Sequence, residues 1–203
     1  MKKNNKTKGR IDFWQITAYI AVAVIILSAL SLGIKLTGYA TTFSTLNVTV
    51  EEKASINFTI DTIDFGQGSV STGELSATID TLGNVINGNW TPVTEGFRIE
   101  NTGNVNVSLS LKTNKNASDF LGGSFPGYQY NVTDFESGSC ISDFTPHGEW
   151  IDVNKTGDGT IICNVFQYGD DQDSIRVDLK LVIPSDARPG IKSDVFTATG
   201  TAV

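Results

Sequence analysis

Seven Asn-x-Ser/Thr triplets begin at Asn47, Asn57, Asn89, Asn106, Asn116, Asn131 and Asn154, none with Pro in the middle. Each is an acceptor signature for an N-linked glycan, a modification made on chain that reaches an extracytoplasmic space. Five have an apolar middle residue: Val48, Phe58, Trp90, Val107 and Val132. Alternate side chains of a strand point to opposite faces, so a strand with one buried face would present the Asn and the Ser or Thr together to solvent. "TLNVTV" then sets Leu46, Val48 and Val50 against Asn47 and Thr49, and "SINFTI" sets Ile56, Phe58 and Ile60 against Asn57 and Thr59. In "VNVSLSL", Val105, Val107, Leu109 and Leu111 face a core while Asn106, Ser108 and Ser110 face water. A polar strand face rich in Asn and Thr also produces such triplets with no glycan attached.

The other reactive residue types are few. Cys140 and Cys163 are the only cysteines, an even count that predicts one disulfide in an oxidising compartment, the alternative being two separate buried thiols. His147, the single histidine, lies in "FTPHGEW" and reads as a surface-loop residue. No helical His pair with an intervening Glu, no Gly-x-Ser-x-Gly and no phosphate-cradling glycine loop accompanies it, so the chain is expected to be no enzyme. Asp170, Asp171 and Asp173 in "GDDQDS" offer clustered carboxylate oxygens of the kind Ca²⁺ takes. The spacing departs from an EF-hand loop and lacks the downstream Glu. A solvated hairpin turn is therefore the favoured reading, with no cofactor or metal expected and Ca²⁺ as the alternative. Trp90, Trp150 and Tyr128 either stack on sugars or fill the core.

The elements that would carry these residues are short strands. Strand-like runs recur near 43–50, 55–60, 74–80, 96–101, 104–112, 127–132, 149–153, 160–166, 174–183 and 192–202, separated by turn signals such as "GQGSVSTG", "NTGN", "NKTGDG" and "PSDARPG". "RIENTGNVNVSLSL" and "EWIDVNKTGDGTIIC" both read as hairpins, the second pinned by the disulfide. No amphipathic helical pattern intervenes. The fold class is all-β, a two-sheet sandwich of Ig-like or jelly-roll type preceded by a hydrophobic helix. Residues 41–203 form one domain, and 1–40 form a separate basic and apolar head.

That head begins "MKKNNKTKGR", with five positive charges and no acid, and continues into 22 charge-free residues at 13–34. Such a helix is about 30 Å long, the thickness of a bilayer core, and its basic flank would stay in the cytoplasm. Residues beyond Lys35 then face outward. Three fates are open: a retained anchor through 13–34, cleavage after Ala40 in "GYA", or processing at Lys8-Gly9 as in a type IV pilin leader. Beyond residue 40 the chain carries nine Lys or Arg against 21 Asp or Glu. An acidic surface of that kind argues against nucleic acid as a partner.

Three stretches, "TGYATTFST", "FRIENTGNVNVSLSL" and "LVIPSDARPGIKSDVFTATGTA", resemble secreted camelysin-like proteins, a set that includes biofilm-matrix fibre subunits and archaeal bundling-pilus subunits. The resemblance implies a β-sandwich. It also implies, for some members, polymers in which one subunit's N-terminal strand completes the next subunit's sheet. The residues carry an independent argument. "TTFSTLNVTV" is β-prone and is followed by the polar break "EEKAS", so Phe43, Leu46, Val48 and Val50 would be insertion residues at a neighbour's open edge. The alternative is that 43–50 is the first strand of its own sandwich. The expectation is a non-enzymatic structural protein of the cell surface, a homo-oligomer or polymer forming a filament or envelope layer. The second reading is a membrane-anchored adhesin or carbohydrate-binding module.

Overall fold

The structure, a computed structural model, describes residues 13–32, 45–141 and 148–203. Phe43, His147, the junction at Ala40 and the Lys8-Gly9 site lie outside the described residues. The chain divides into two compact units, Met1–Thr49 and Val50–Val203. The first contains α1 (Phe13–Leu32), free of acidic and basic residues at its ends. Its side chains are described over 13–27, about 22 Å of helix axis, and are exposed. Among the described residues no helix is long and apolar enough to cross a membrane.

Residues 45–50, expected to continue a first strand, carry none. Apolar alternation makes a segment competent to pair, but a strand exists only where a neighbour takes its backbone hydrogen bonds. The second unit is mostly β, in the order β1 (Ile56–Ile60), β2 (Ser76–Asp80), β3 (Val85–Ile86), β4 (Phe97–Asn101), β5 (Val107–Thr113), α2 (Ala117–Phe120), β6 (Gly127–Asp134), β7 (Ile151–Asp152), β8 (Thr160–Phe166), β9 (Ser174–Pro184) and β10 (Phe196–Ala202). Two antiparallel sheets result. Seven strands form one, with β1-β4-β9-β2-β3 in a row and β6 on the other side of β9 carrying β7; β10-β5-β8 form the second.

Their inner faces share a core, as in a β-sandwich. Ile99, Tyr130, Val132, Ile175 and Val177 come from the large sheet, and Val107, Leu109, Leu111, Ile162 and Phe166 from the small one. The period-2 alternation predicted this facing: β5 buries Val107, Leu109 and Leu111 and leaves Ser108 and Ser110 half-exposed. The cysteines are bonded, with Cα atoms 5.8 Å apart, tying the loop after β6 to β8.

Two expected hairpins, and the expected hairpin turn at "GDDQDS", are something else. β4 pairs β1 and β9 while β5 pairs β10 and β8, so "NTGNVN" is a corner between sheets. Likewise β7 pairs β6 and β8 pairs β5, and "GDDQDS" leads from β8 in the small sheet to β9 in the large one. Alternation reports which face is apolar, not which neighbour a strand pairs with. A buried side chain braces the first corner: Asn101 Nδ2 donates to the Val105 carbonyl at 2.9 Å and the Phe166 carbonyl at 3.2 Å, and its Oδ1 accepts from Gly103 N at 3.1 Å.

β9 is the hub. It pairs β6 along Ile175–Val182, and on its other edge pairs β4 over 174–177 and β2 over 180–184. Thr81 fills the changeover: its N–H donates to the Leu179 carbonyl at 3.0 Å, and its hydroxyl accepts from Leu179 N at 2.9 Å and donates to Asp178 at 2.6 Å. Arg176 holds Asp178 with contacts of 2.7–3.0 Å and donates to the carbonyls of Thr81 and Thr94 at 3.0 Å. Gly96 is required beside this network, since a Cβ there would lie 2.6 Å from the Val177 carbonyl oxygen.

Arg176→Ala would leave the buried Asp178 carboxylate without its cation. Urea denaturation should show a loss of about 3 kcal/mol, in the range for breaking a buried pair by removing one partner. The double change Cys140→Ala with Cys163→Ala should cost roughly 3 kcal/mol by the loop-closure estimate, read from the same curves.

Candidate functional site

The two sheets leave a hollow on one flank. β1 has β4 as its strand partner and β10 has β5, and among the described residues neither has a second. Between these edges lies a groove of two adjoining hollows. One, about 290 Å³, is lined by Ile56, Asn57, Phe58, Asp61, Ile99 and Ala198. The other, about 240 Å³, shares Phe58 and Asp61 and adds Phe97, Asp194, Val195 and Phe196.

Local sequence explains the lining. β10 reads "FTATGTA", with Phe196, Ala198 and Gly200 half-buried and the threonines exposed. β1 turns Ile56, Phe58 and Ile60 inward, and its register with β4 shifts between Phe58 and Ile60. The groove closes at Gly200, where an added Cβ would stand 3.1 Å from Ile56 Cγ2. Its floor is aromatic: Phe58 meets Phe97 at 5.6 Å, Phe97 meets Phe196 at 5.1 Å, and Phe196 meets Tyr128 at 5.9 Å between ring centroids. Such contacts add to the stabilisation that burial of the rings provides. Asp194 marks one end; its carboxylate accepts from Lys115 N at 3.3 Å. Burial, then the Asp194 charge, pushes the Tyr128 phenol far up, so it stays protonated.

Leu46, Val48 and Val50, the described insertion candidates, are 88%, 75% and 76% exposed. The chain following them is fixed. Lys53 N donates to Asn104 Oδ1 at 2.6 Å, Asn104 Nδ2 donates to the Glu51 carbonyl at 2.9 Å, and Asn104 N donates to the Lys53 carbonyl at 3.0 Å. Residues 51–53 are thus tied to the β4–β5 corner. Nothing in the sequence marked Asn104 for this task, because its partners lie some 50 positions away.

The sequon asparagines differ in setting. Asn47 and Asn57 are exposed and Asn106 is half-buried. Asn89 accepts from Ser69 N at 2.6 Å, and Asn116 caps α2 by accepting from Asp119 N at 2.8 Å. Asn154 accepts from Thr156 N at 2.9 Å and from its hydroxyl at 2.7 Å. Asn131 departs from the expected solvent facing: it is only 7% exposed, opposite the buried Asp178, and its Oδ1 has no hydrogen-bond partner. The outer face of β6 is covered there, which strand period alone does not reveal.

Of the acidic trio, Asp170 and Asp171 are exposed and Asp173 N donates to Glu136 Oε2 at 3.1 Å; among the described residues no three His, Cys, Asp or Glu side chains form a metal-holding group. Tyr128 is core, Trp90 packs on the second core cluster, and Trp150 lies 4.7 Å under the Lys180 ammonium.

Burial first, then repulsion from Glu136, Glu100 and Asp170, pushes the Asp173 carboxyl from 3.8 up to about 6. A folded-state value above the unfolded one favours folding while the group is protonated, and that contribution is lost as pH rises through 6. Melting curves should therefore show Asp173→Asn matching the parent near pH 4 and exceeding it at pH 7. Equal differences at both pH values would contradict the assignment. No protein-family model matches the chain, and no curated protein is similar to it.

Proposed function

We propose that this chain is a non-enzymatic structural subunit of the cell surface, polymerising as the apolar-alternating segment 43–50 of one copy enters the β1–β10 groove of the next. In this reading the second unit is a sandwich of Ig-like or jelly-roll type, residues 13–34 deliver or anchor the chain with the N-terminus cytoplasmic, and the exterior domain is N-glycosylated. The partner is another copy of the same chain. Nucleic acid plays no part, in keeping with the acidic surface. The assembly follows the kinship that the camelysin-like and bundling-pilus-like resemblance implies, and the reading calls on no metal or cofactor.

One observation carries the proposal. A groove flanked by two strand edges, floored by aromatic rings and rimmed by Asn57, Asp61 and Asp194, coexists in one chain with a segment of alternating apolar residues whose Leu46, Val48 and Val50 are exposed. An incoming strand would donate to and accept from both edges while its Leu46, Val48 and Val50 leave water. Each fully buried Leu or Val side chain is worth about 1.5–3 kcal/mol. The same segment left unpaired exposes that surface, which is a reason for the chain not to remain monomeric.

Negative-stain microscopy of the full chain beside Leu46→Asp with Val48→Asp tests this. The parent should form filaments, and the variant should give dispersed particles with an unchanged melting temperature, because both side chains are exposed at the start. Ala198→Phe, which fills the groove from β10, should block filaments equally. Dispersed folded particles from all three would overturn assembly and leave the anchored adhesin or carbohydrate-binding module, which a glycan array would then read.

A further inference from the structure

We propose that Asn154 is the preferred N-glycan attachment point of this protein and that Asn131 carries no glycan; the inference rests on the exterior location in the reading above, not on polymer formation. A side-chain amide is a poor nucleophile because its nitrogen lone pair is delocalised into the carbonyl. Hydrogen bonds donated to the amide oxygen draw that density further onto oxygen and make the remaining N–H more acidic. Asn154 Oδ1 receives two, from the backbone N–H of Thr156 at 2.9 Å and the Thr156 hydroxyl at 2.7 Å. The donor is the third residue of its own sequon, folded back by an Asx turn. Nδ2 is left to point elsewhere: among the described residues it donates no hydrogen bond.

No other sequon among the seven has this arrangement. In β1 the side chains of Asn57 and Thr59 lie side by side along an extended strand, and the Thr59 hydroxyl donates to Glu100 at 3.1 Å. The Asn89 amide oxygen also accepts two bonds, from Ser69 N at 2.6 Å and the Ser69 hydroxyl at 3.3 Å, but that donor lies twenty residues away and not within the sequon. Among the described residues the Asn116 oxygen accepts from Asp119 N alone. Asn131 is buried, so no enzyme reaches it without unfolding β6. Asn154, half-buried, instead opens the β7–β8 connection, where residues 155–158 are all exposed. That loop is held in place from both sides: the Asn154 carbonyl accepts from Thr113 N at 3.1 Å, and Lys155 pairs with Asp119. A loop both accessible and preformed is what a modifying enzyme can grip.

The transfer is a substitution. A bond forms between Asn154 Nδ2 and the anomeric carbon of a lipid-phosphate-linked sugar, the bond from that carbon to the phosphate oxygen breaks, the electron pair leaves on the lipid phosphate, and one Nδ2 proton passes to a base of the transferase. No oxidant or reductant is consumed.

The experiment is glycopeptide mass spectrometry on the full chain made in its own cells, after chymotryptic digestion, with Asn154→Gln, Thr156→Val and Thr156→Ser alongside. A membrane-impermeant amine label applied to intact cells reports location independently. The parent should carry glycan mass on the Asn154 peptide and none on the Asn131 peptide. Asn154→Gln and Thr156→Val should lose it, and Thr156→Ser should keep it. Surface-labelled protein with a bare Asn154, or with glycan on Asn131, overturns the inference and leaves the location intact. A chain neither labelled nor glycosylated overturns both.

Discussion

Everything in the second unit hangs on the way β9 changes partner. An eleven-residue strand at the centre of a sheet cannot leave its backbone groups unpaired, yet neither β4 nor β2 spans its length. Thr81 bridges the gap with its backbone and hydroxyl, and the Arg176–Asp178 pair locks Thr81 and the Thr94 carbonyl against the strand. Asp178 is almost fully buried while Arg176 keeps a partly exposed guanidinium, so the pair avoids the full desolvation cost of two interior charges. What the network provides is position: it lets two short strands behave as one long neighbour.

The groove is a consequence of that layout. Because β9 collects β6 on one side and β4 and β2 on the other, the large sheet ends at β1, a five-residue strand. The small sheet ends at β10, seven residues long and fully paired with β5. The layers are thus unequal where β1 and β10 face each other, and aromatic rings that a complete sandwich would cover remain accessible from the flank. A sheet edge is an open row of donors and acceptors, and proteins cover such edges when pairing is unwanted. Here Asp61 and Asp194 line the groove beside Phe58, Phe97 and Phe196 and leave it open.

The polar side chains separate into two populations by what they bond. Asn101, Asn104, Asn116 and Asn154 each close a corner, a cap or a turn by reaching along or across the chain to backbone groups. Asn131 does not, and its unpartnered oxygen belongs to a residue that stands opposite the buried Asp178 in the large sheet. Counting Asn-x-Ser/Thr triplets treats these residues as equivalent, whereas the hydrogen bonds make them chemically distinct.

Much of the architecture was legible in the chain itself. The period-2 pattern located β1, β2, β4, β6, β8 and β9 nearly to their ends, located β5 and β10 with starts three and four residues too early, and chose the buried face of β5. Cysteine arithmetic paired Cys140 with Cys163. Pattern could locate these because side-chain facing is a local property of an extended backbone. Pairing is not local. Whether "NTGNVN" returns to the same sheet or crosses to the other depends on hydrogen bonds to segments 50 or more residues away, as Asn101 and Asn104 show. For the same reason only the tertiary structure decided that residues 45–50 stand without a strand, that Asn131 is covered, and that β1 and β10 flank an open groove. The sequence by itself determined which segments are strands and which of their faces are apolar. The fold decided which edges remain unpaired, because an edge is defined by the neighbour it lacks.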